Sequence, residues 1–202
     1  MTTEATSPIP LDEPLAARIA LAVDRYGKRR VVELAIGLLQ ARDEGDEILL
    51  YLGGRHAQGI LDGAPALYWP ELWGARALGY VWDGGVESDG AYAKGAEPGG
   101  AGSTAAAPAI LAGLGNQAWR VREMCARVCR ARGIGGPQTL SALLTDEVAR
   151  VRAAAARALA EVGGAEHLEN LRPLLHDQDK DVRRAAQQSL DRLRERTRPA
   201  VD

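Results

Sequence analysis

The sequence predicts an all-α fold, an α-solenoid of about five helix pairs stacked into a right-handed superhelix. One observation is a helical stripe. In DEVARVRAAAARALAEVG, residues 146–163, Val151, Ala154, Ala155, Ala158, Leu159 and Val162 fall at i, +3, +4, +7, +8 and +11, one face of a 3.6-residue period, with arginines and acids opposite. Such an Ala-rich helix buries too little to fold alone and needs near-copies beside it. The second observation supplies them: Val121-Arg122, Val151-Arg152 and Val182-Arg183 recur at an even spacing, each Val five residues after Asn116, Asp146 or Asp177. A period of about 30 residues with two helices per unit marks a stacked array. The third is composition. Hydrophobic residues make up 46% of the chain, aromatics only 4%, and Phe is absent, so the core is built from Ala, Leu and Val and suits closely packed helices better than a β-sandwich.

Residues 1–11 read as disordered and 12–83 as divergent N-terminal helical repeats. Asp12 is placed to cap a helix that starts near Pro14, runs through LAARIALAVDRY and stops at Gly27. A second helix begins near Lys28, carries Val31, Val32, Leu34, Ala35, Ile36, Leu38 and Leu39, and ends near Gly45. A third starts around Asp46, meets Gly53-Gly54, where the pair kinks or breaks it, and resumes through His56 to Leu61. Pro65 falls in a loop and Pro70 in a first turn. From there Trp73, Gly74, Ala77, Leu78 and Val81 repeat the spacing of the central stripe, and Ala75-Arg76-Ala77-Leu78 is identical to Ala156-Arg157-Ala158-Leu159.

Residues 84–104 are rich in Gly and Ala and lack periodicity, and read as a flexible insertion. With this segment removed, the separation of Pro70 and Val121 falls to one repeat period, so the insertion interrupts an array that keeps its period. Residues 105–196 then give three repeats. Their first helices share Ile110, Leu140 and Leu171, and again Leu114, Leu144 and Leu175. The last repeat has Gln187, Gln188 and Ser189 where the middle one has Ala156, Arg157 and Ala158, the more polar character a terminal repeat requires. Residues 197–202 form a frayed tail.

The pattern D-x-x-x-x-V-R-x-x-A-A-x-A-L resembles the HEAT repeat, and more closely its short bacterial form in phycobilisome-lyase-like proteins. Residues 105–196 hold three copies and 47–83 one divergent copy, with the helices of 12–43 stacked on the end. The resemblance implies a protein-binding scaffold whose motif residues are architectural. The residues themselves point the same way. Asn116, Asp146 and Asp177 sit at turns or helix starts, where they accept backbone N–H groups. Arg122, Arg152 and Arg183 stack one per repeat and pair with neighbouring turn carboxylates.

No catalytic constellation emerges. HEAT-like di-iron hydroxylases use His-Glu pairs, whereas the three histidines here stand in His56-Ala57, His167-Leu168 and His176-Asp177. Cys125 and Cys129 lie one turn apart on a core face and read as buried thiols, since a structural zinc needs about four ligands. No nucleophile-elbow or phosphate-loop string occurs. The expectation is therefore a non-enzyme with no cofactor.

Candidate partner-binding residues are those that depart from the repeat. Trp119 and Arg120, Arg150 and Lys180 stand at repeat starts on the concave face formed by the second helices. Trp69, Trp73 and Trp82 cluster with Tyr68 and Tyr80. Trp73 falls on the core register, while Trp69 and Trp82 lie off it and are anchor candidates, because Trp and Tyr dominate interface hot spots. The net charge is −2, divided as about −6 over residues 1–104 and +4 over 105–202, too mild a basic excess to favour nucleic acid. The function expected is a protein-interaction scaffold or regulatory binding module with an unidentified protein partner. The alternatives are a bilin-lyase-like accessory protein that holds a tetrapyrrole-protein substrate, and a nucleic-acid-binding HEAT-like protein. A polar N-terminus without a signal pattern, and no apolar run near the roughly 20 residues a bilayer requires, make the cytoplasm the expected location.

Overall fold

A computed structural model of the chain describes residues 8–82 and 105–198. All regular structure among them is helical, and it is arranged as five successive pairs. The first pair is α1 (Leu15–Tyr26) and α2 (Lys28–Leu39). The second is α3 (Asp46–Gly53), continued by α4 (Arg55–Leu61), and α5 (Trp69–Leu78). Next come α6 (Ala106–Gly113) with α7 (Trp119–Arg132), then α8 (Pro137–Ala142) and a 3-10 turn at Leu143–Thr145 with α9 (Ala149–Val162). In the last pair, α10 (Leu168–Leu171) between two 3-10 turns packs on α11 (Lys180–Thr197). The second members form one layer in the order α2, α5, α7, α9, α11, each packed on the next, and the first members cover its other side. This is a HEAT-like α-solenoid.

The repeat valines explain the stacking. Val121, Val151 and Val182 are fully buried, as are Ile110, Leu140 and Leu171 of the facing elements. In α9 burial extends beyond the stripe read from the sequence: Ala153, Ala156 and Ala160 are buried too. The cause is position, since α9 is flanked by α7 on one side and α11 on the other, and only a methyl side chain lets both neighbours approach.

Three expectations need correction. Asp12 does not cap α1, which begins after Pro14 without any side-chain cap; its carboxylate instead pairs with Arg55. Residues 8–11, read as part of a disordered start, are tied down: Ile9 packs on the core and the Leu11 carbonyl accepts a hydrogen bond from Arg18. Thr197, read as the start of a frayed tail, instead ends α11, with its hydroxyl donating to the Leu193 carbonyl at 2.7 Å. The remainder of residues 1–11, the 84–104 insertion and the rest of the tail lie outside the described residues.

The glycine pair breaks the third predicted helix outright. Gly54 has φ +59°, a left-handed conformation that a side chain resists, and α3 and α4 are separate helices on either side of it. The carbonyls left open at the end of α3 are met by a buried arginine. Arg18 donates from Nε to Tyr51 O at 2.9 Å and from Nη2 to Leu52 O at 3.5 Å, while its Nη1 also reaches the Glu13 carbonyl. Burial holds this guanidinium below the usual arginine range. The first members also shorten toward the C-terminus, to six residues in α8 and four in α10. Pro137 opens α8, and Pro173, which has no N–H to offer, lies in the 3-10 turn after α10.

Candidate partner-binding face

Two rows of polar side chains run along the array, and they have different chemistry. The first row joins the repeats. Asn116, Asp146 and Asp177 each accept the backbone N–H two residues on, from Ala118, Val148 and Asp179, at 2.8, 2.9 and 2.8 Å. Asp146 and Asp177 then receive a fork from the preceding repeat. Arg122 donates to both oxygens of Asp146 at 2.7 and 3.0 Å, and Arg152 to both of Asp177 at 2.7 and 2.8 Å. The third guanidinium nitrogen of each arginine turns back onto its own repeat, to the carbonyls of residues 116 and 117 or 146 and 147. Arg183 makes the same carbonyl contacts at Asp177 and Gln178. At the two forks donors and acceptors serve each other, which leaves those side chains occupied with the stacking of the repeats. The carboxyl of Asp177 is held below its usual range, first by the Arg152 bond.

The second row, in which Arg120 and Arg150 are exposed and Tyr68, Trp119 and Glu123 partly buried, starts at the N-terminal ends of the second helices. Arg120 lies over the Trp119 ring, 4.3 Å from its centroid, and over the Tyr68 ring at 5.7 Å. Arg150 lies 5.6 Å from the same Trp119 ring and 3.3 Å from Glu123. Tyr68, Arg120, Trp119, Arg150 and Glu123 therefore form a continuous strip across α5, α7 and α9. Of the residues nominated from the sequence, this brings together Trp119, Arg120 and Arg150, with Trp69 at its margin. Trp69 stacks beside Tyr68 (5.2 Å between centroids), His56 (4.2 Å) and the buried Trp73 (6.2 Å).

Trp82 stands elsewhere. It follows the far end of α5, about 15 Å from the start of that helix, and holds Arg132 at 5.2 Å. Arg132 in turn donates to the carbonyls of Leu78 and Gly79, which fastens α7 to the end of α5. Lys180 does not continue the arginine row either. Counted from the Val-Arg pairs it occupies the position of Trp119 and Ala149, while Asp181 occupies that of Arg120 and Arg150 and pairs with Arg184 at 3.4 Å.

Below the strip, α7, α9 and α11 line an open groove of about 890 Å³. Its walls carry five arginines, Arg127, Arg130, Arg150, Arg157 and Arg192, against two carboxylates, Glu123 and Glu161. In the sequence most of these read only as the polar side of helices whose other side is apolar. A signal was available: Arg127 and Arg157 stand one repeat period apart, and so do Glu161 and Arg192.

Cys125 and Cys129 are fully buried in the core. Burial raises both thiols, Cys129 to about 12, so neither is a thiolate near neutral pH and neither is nucleophilic. An aromatic disulfide reagent is expected to leave both unlabelled in the native protein and to titrate both in denaturant; rapid native labelling would show that this core opens readily. Among the described residues, no three His, Cys, Asp or Glu side chains are grouped to hold a metal ion, and no helix is long and apolar enough to cross a membrane.

Comparison with known families places the C-terminal part of this architecture. Residues 136–201 match a family model described as HEAT repeats. The matched span covers α8 to α11, the last two helix pairs. The Arg122–Asp146 fork shows the same inter-repeat contact one repeat further back. A crystal structure of an engineered protein is similar at 20% identity over 92% of this chain and 86% of that one, with a TM-score of 0.49. No curated protein matches.

Proposed function

We propose that this chain is a non-enzymatic protein-interaction scaffold that receives a partner protein on the inner face of α7, α9 and α11. The observation that carries the reading is the contrast between the two polar rows: the forks of the ladder are closed on themselves, while the groove and strip present cationic and aromatic groups to solvent. Trp and Arg are the residues that most often anchor interfaces, and here Trp119 is held in place by two guanidiniums. A regulatory role would follow from whichever protein is held there.

The experiment is an affinity purification from the native cell with the wild-type chain and a Trp119→Ala/Arg150→Ala variant. Loss of the partner with helicity retained in circular dichroism is the expected result. An unchanged partner band would reject this face as the binding surface.

The short repeat period supports placing the chain near the phycobilisome-lyase-like group, where the array would serve an enzyme by holding a tetrapyrrole-bearing protein. Visible absorbance after incubation with a bilin tests that variant of the scaffold reading. Nucleic acid is less well supported, since Glu123 and Glu161 stand among the groove arginines.

A further inference from the structure

We infer that the groove between α7, α9 and α11 takes an acidic segment of a partner protein, with one of its carboxylates seated on Arg157. The inference rests on the scaffold reading and specifies the chemistry of its partner. Within the groove, Glu123 is shared by Arg127 at 3.8 Å and Arg150 at 3.3 Å, and Glu161 by Arg130 at 3.8 Å and Arg192 at 2.7 Å. Four cations thus divide two carboxylates. Arg157 stands apart from both sets and makes no ion pair or hydrogen bond among the described residues.

Its surroundings make that isolation unfavourable. Arg157 is half-buried, and its guanidinium is held below the usual arginine range by lost hydration first and then by Arg130. Arg127 and Arg184 also repel it, and only Asp181 opposes them. A partly desolvated charge without a partner is costly, and a carboxylate is the group that a guanidinium fork matches in shape and charge.

The arrangement also selects among anions. Arg150, Arg157 and Glu161 lie at i, +7 and +11 on one face of α9, so along that helix Arg157 is about 10 Å from Arg150 and about 6 Å from Glu161. Glu123 is shared by two arginines and Glu161 by two more, so the groove presents two mixed sets, each with a surplus cation, and Arg157 between them. A uniform phosphate backbone would bring charge against the two glutamates as well as against the arginines, whereas a polypeptide can place one carboxylate on Arg157 and neutral residues beside Glu123 and Glu161. The Trp119 ring, the available platform for a base, already carries two guanidiniums. The volume suits a few side chains of a bound segment.

The test uses the full chain and fluorescence anisotropy in about 50 mM salt, where charge pairs are least screened. Three probes are compared: a labelled peptide of glutamates spaced by glycine and serine, its glutamine counterpart, and a labelled single-stranded oligonucleotide. The glutamate peptide is expected to bind about tenfold more tightly than the glutamine peptide, the effect of one good charge-assisted pair. Arg157→Gln should weaken it by about the same factor, and Arg157→Glu should abolish it. Arg127→Gln, at a more exposed side chain, gives a second variant should Arg157→Glu lose helicity, with a smaller loss in the same direction. Arg172→Gln, on the 3-10 turn of the other layer, should change nothing. Equal binding of the two peptides, no binding of the glutamate peptide, insensitivity to the Arg157 and Arg127 changes, or binding of the oligonucleotide alone would each overturn the inference. If the peptides fail while the partner is still lost from the Trp119→Ala/Arg150→Ala variant, the scaffold reading stands and only the acidic specificity falls.

Discussion

Gly74→Ala is expected to lower the stability of the chain by about 2 kcal/mol, although alanine is the better helix former. A Cβ at Gly74 would meet the Ala35 carbonyl oxygen at 2.4 Å, the Leu39 nitrogen at 2.7 Å and the Leu38 Cβ at 3.1 Å. The two nearest atoms are backbone of α2 and cannot turn aside as a side chain could. Replacing glycine by alanine within a helix gains about 1 kcal/mol of propensity. Inserting a methyl group into a closed contact costs about 1–3 kcal/mol, and more where backbone must move. The clash therefore wins, and thermal unfolding followed by circular dichroism should show a midpoint roughly 4–8 °C lower. Gly74→Val adds two more methyl groups between α2 and α5, and is expected to leave no folded protein to measure. Gly59→Ala is the control: it lies within α4 with nothing within 4 Å of a built Cβ, so the same change there should raise the midpoint. A raised midpoint for Gly74→Ala would mean that α2 and α5 do not cross this closely.

The array was legible because its signals are periodic. A valine once per repeat and an alanine stripe at helical spacing specify which faces meet, and the paired glycines mark the break before α4. What was not legible depends on single long side chains that reach across the fold. Arg18 reads as a polar position of α1, yet it closes the end of α3, some 33 residues away in sequence. Arg132 and Arg196 read as ordinary charges near helix ends, but each grips the end of the preceding second helix, Arg132 at Leu78 and Gly79 and Arg196 at Ala160 and Gly163. The site was partly legible for the same reason. Trp119 stands out because it breaks the repeat, and Arg120 and Arg150 adjoin the Val-Arg pairs. Arg157 is hidden inside the string shared with residues 75–78, where it looks like repeat consensus, and its lack of a partner emerges only when α7, α9 and α11 are side by side.

The inter-repeat fork carries the other large effect, and Asp177 allows its two parts to be separated. Asp177→Asn keeps an oxygen to accept the Asp179 N–H, as Asn116 does for Ala118, but loses the charge that Arg152 grips. Asp177→Ala loses both. The pair is largely withdrawn from solvent, with 17% of the Arg152 side chain and 10% of the Asp177 side chain exposed, so the small values found for surface ion pairs do not apply. Breaking a buried pair from one side costs about 3–5 kcal/mol. Arg152 would keep its bonds to the Asp146 and Glu147 carbonyls, which places Asp177→Asn lower, at about 2 kcal/mol, and Asp177→Ala at about 3 kcal/mol with the lost turn bond added. The pH dependence has a definite sign. Asp177 is held below its unfolded value of about 3.9 by Arg152 first and then by the Asp179 N–H. Its contribution is therefore complete above that value and is lost as pH falls through the lower, folded-state value. The gap in unfolding midpoint between wild type and Asp177→Asn should stay constant from about pH 8 to pH 5 and close below about pH 4. A gap that widens in acid would mean that Arg152 does not favour the charged carboxylate, and the fork would then be a consequence of the stacking between α9 and α11 and not one of its causes.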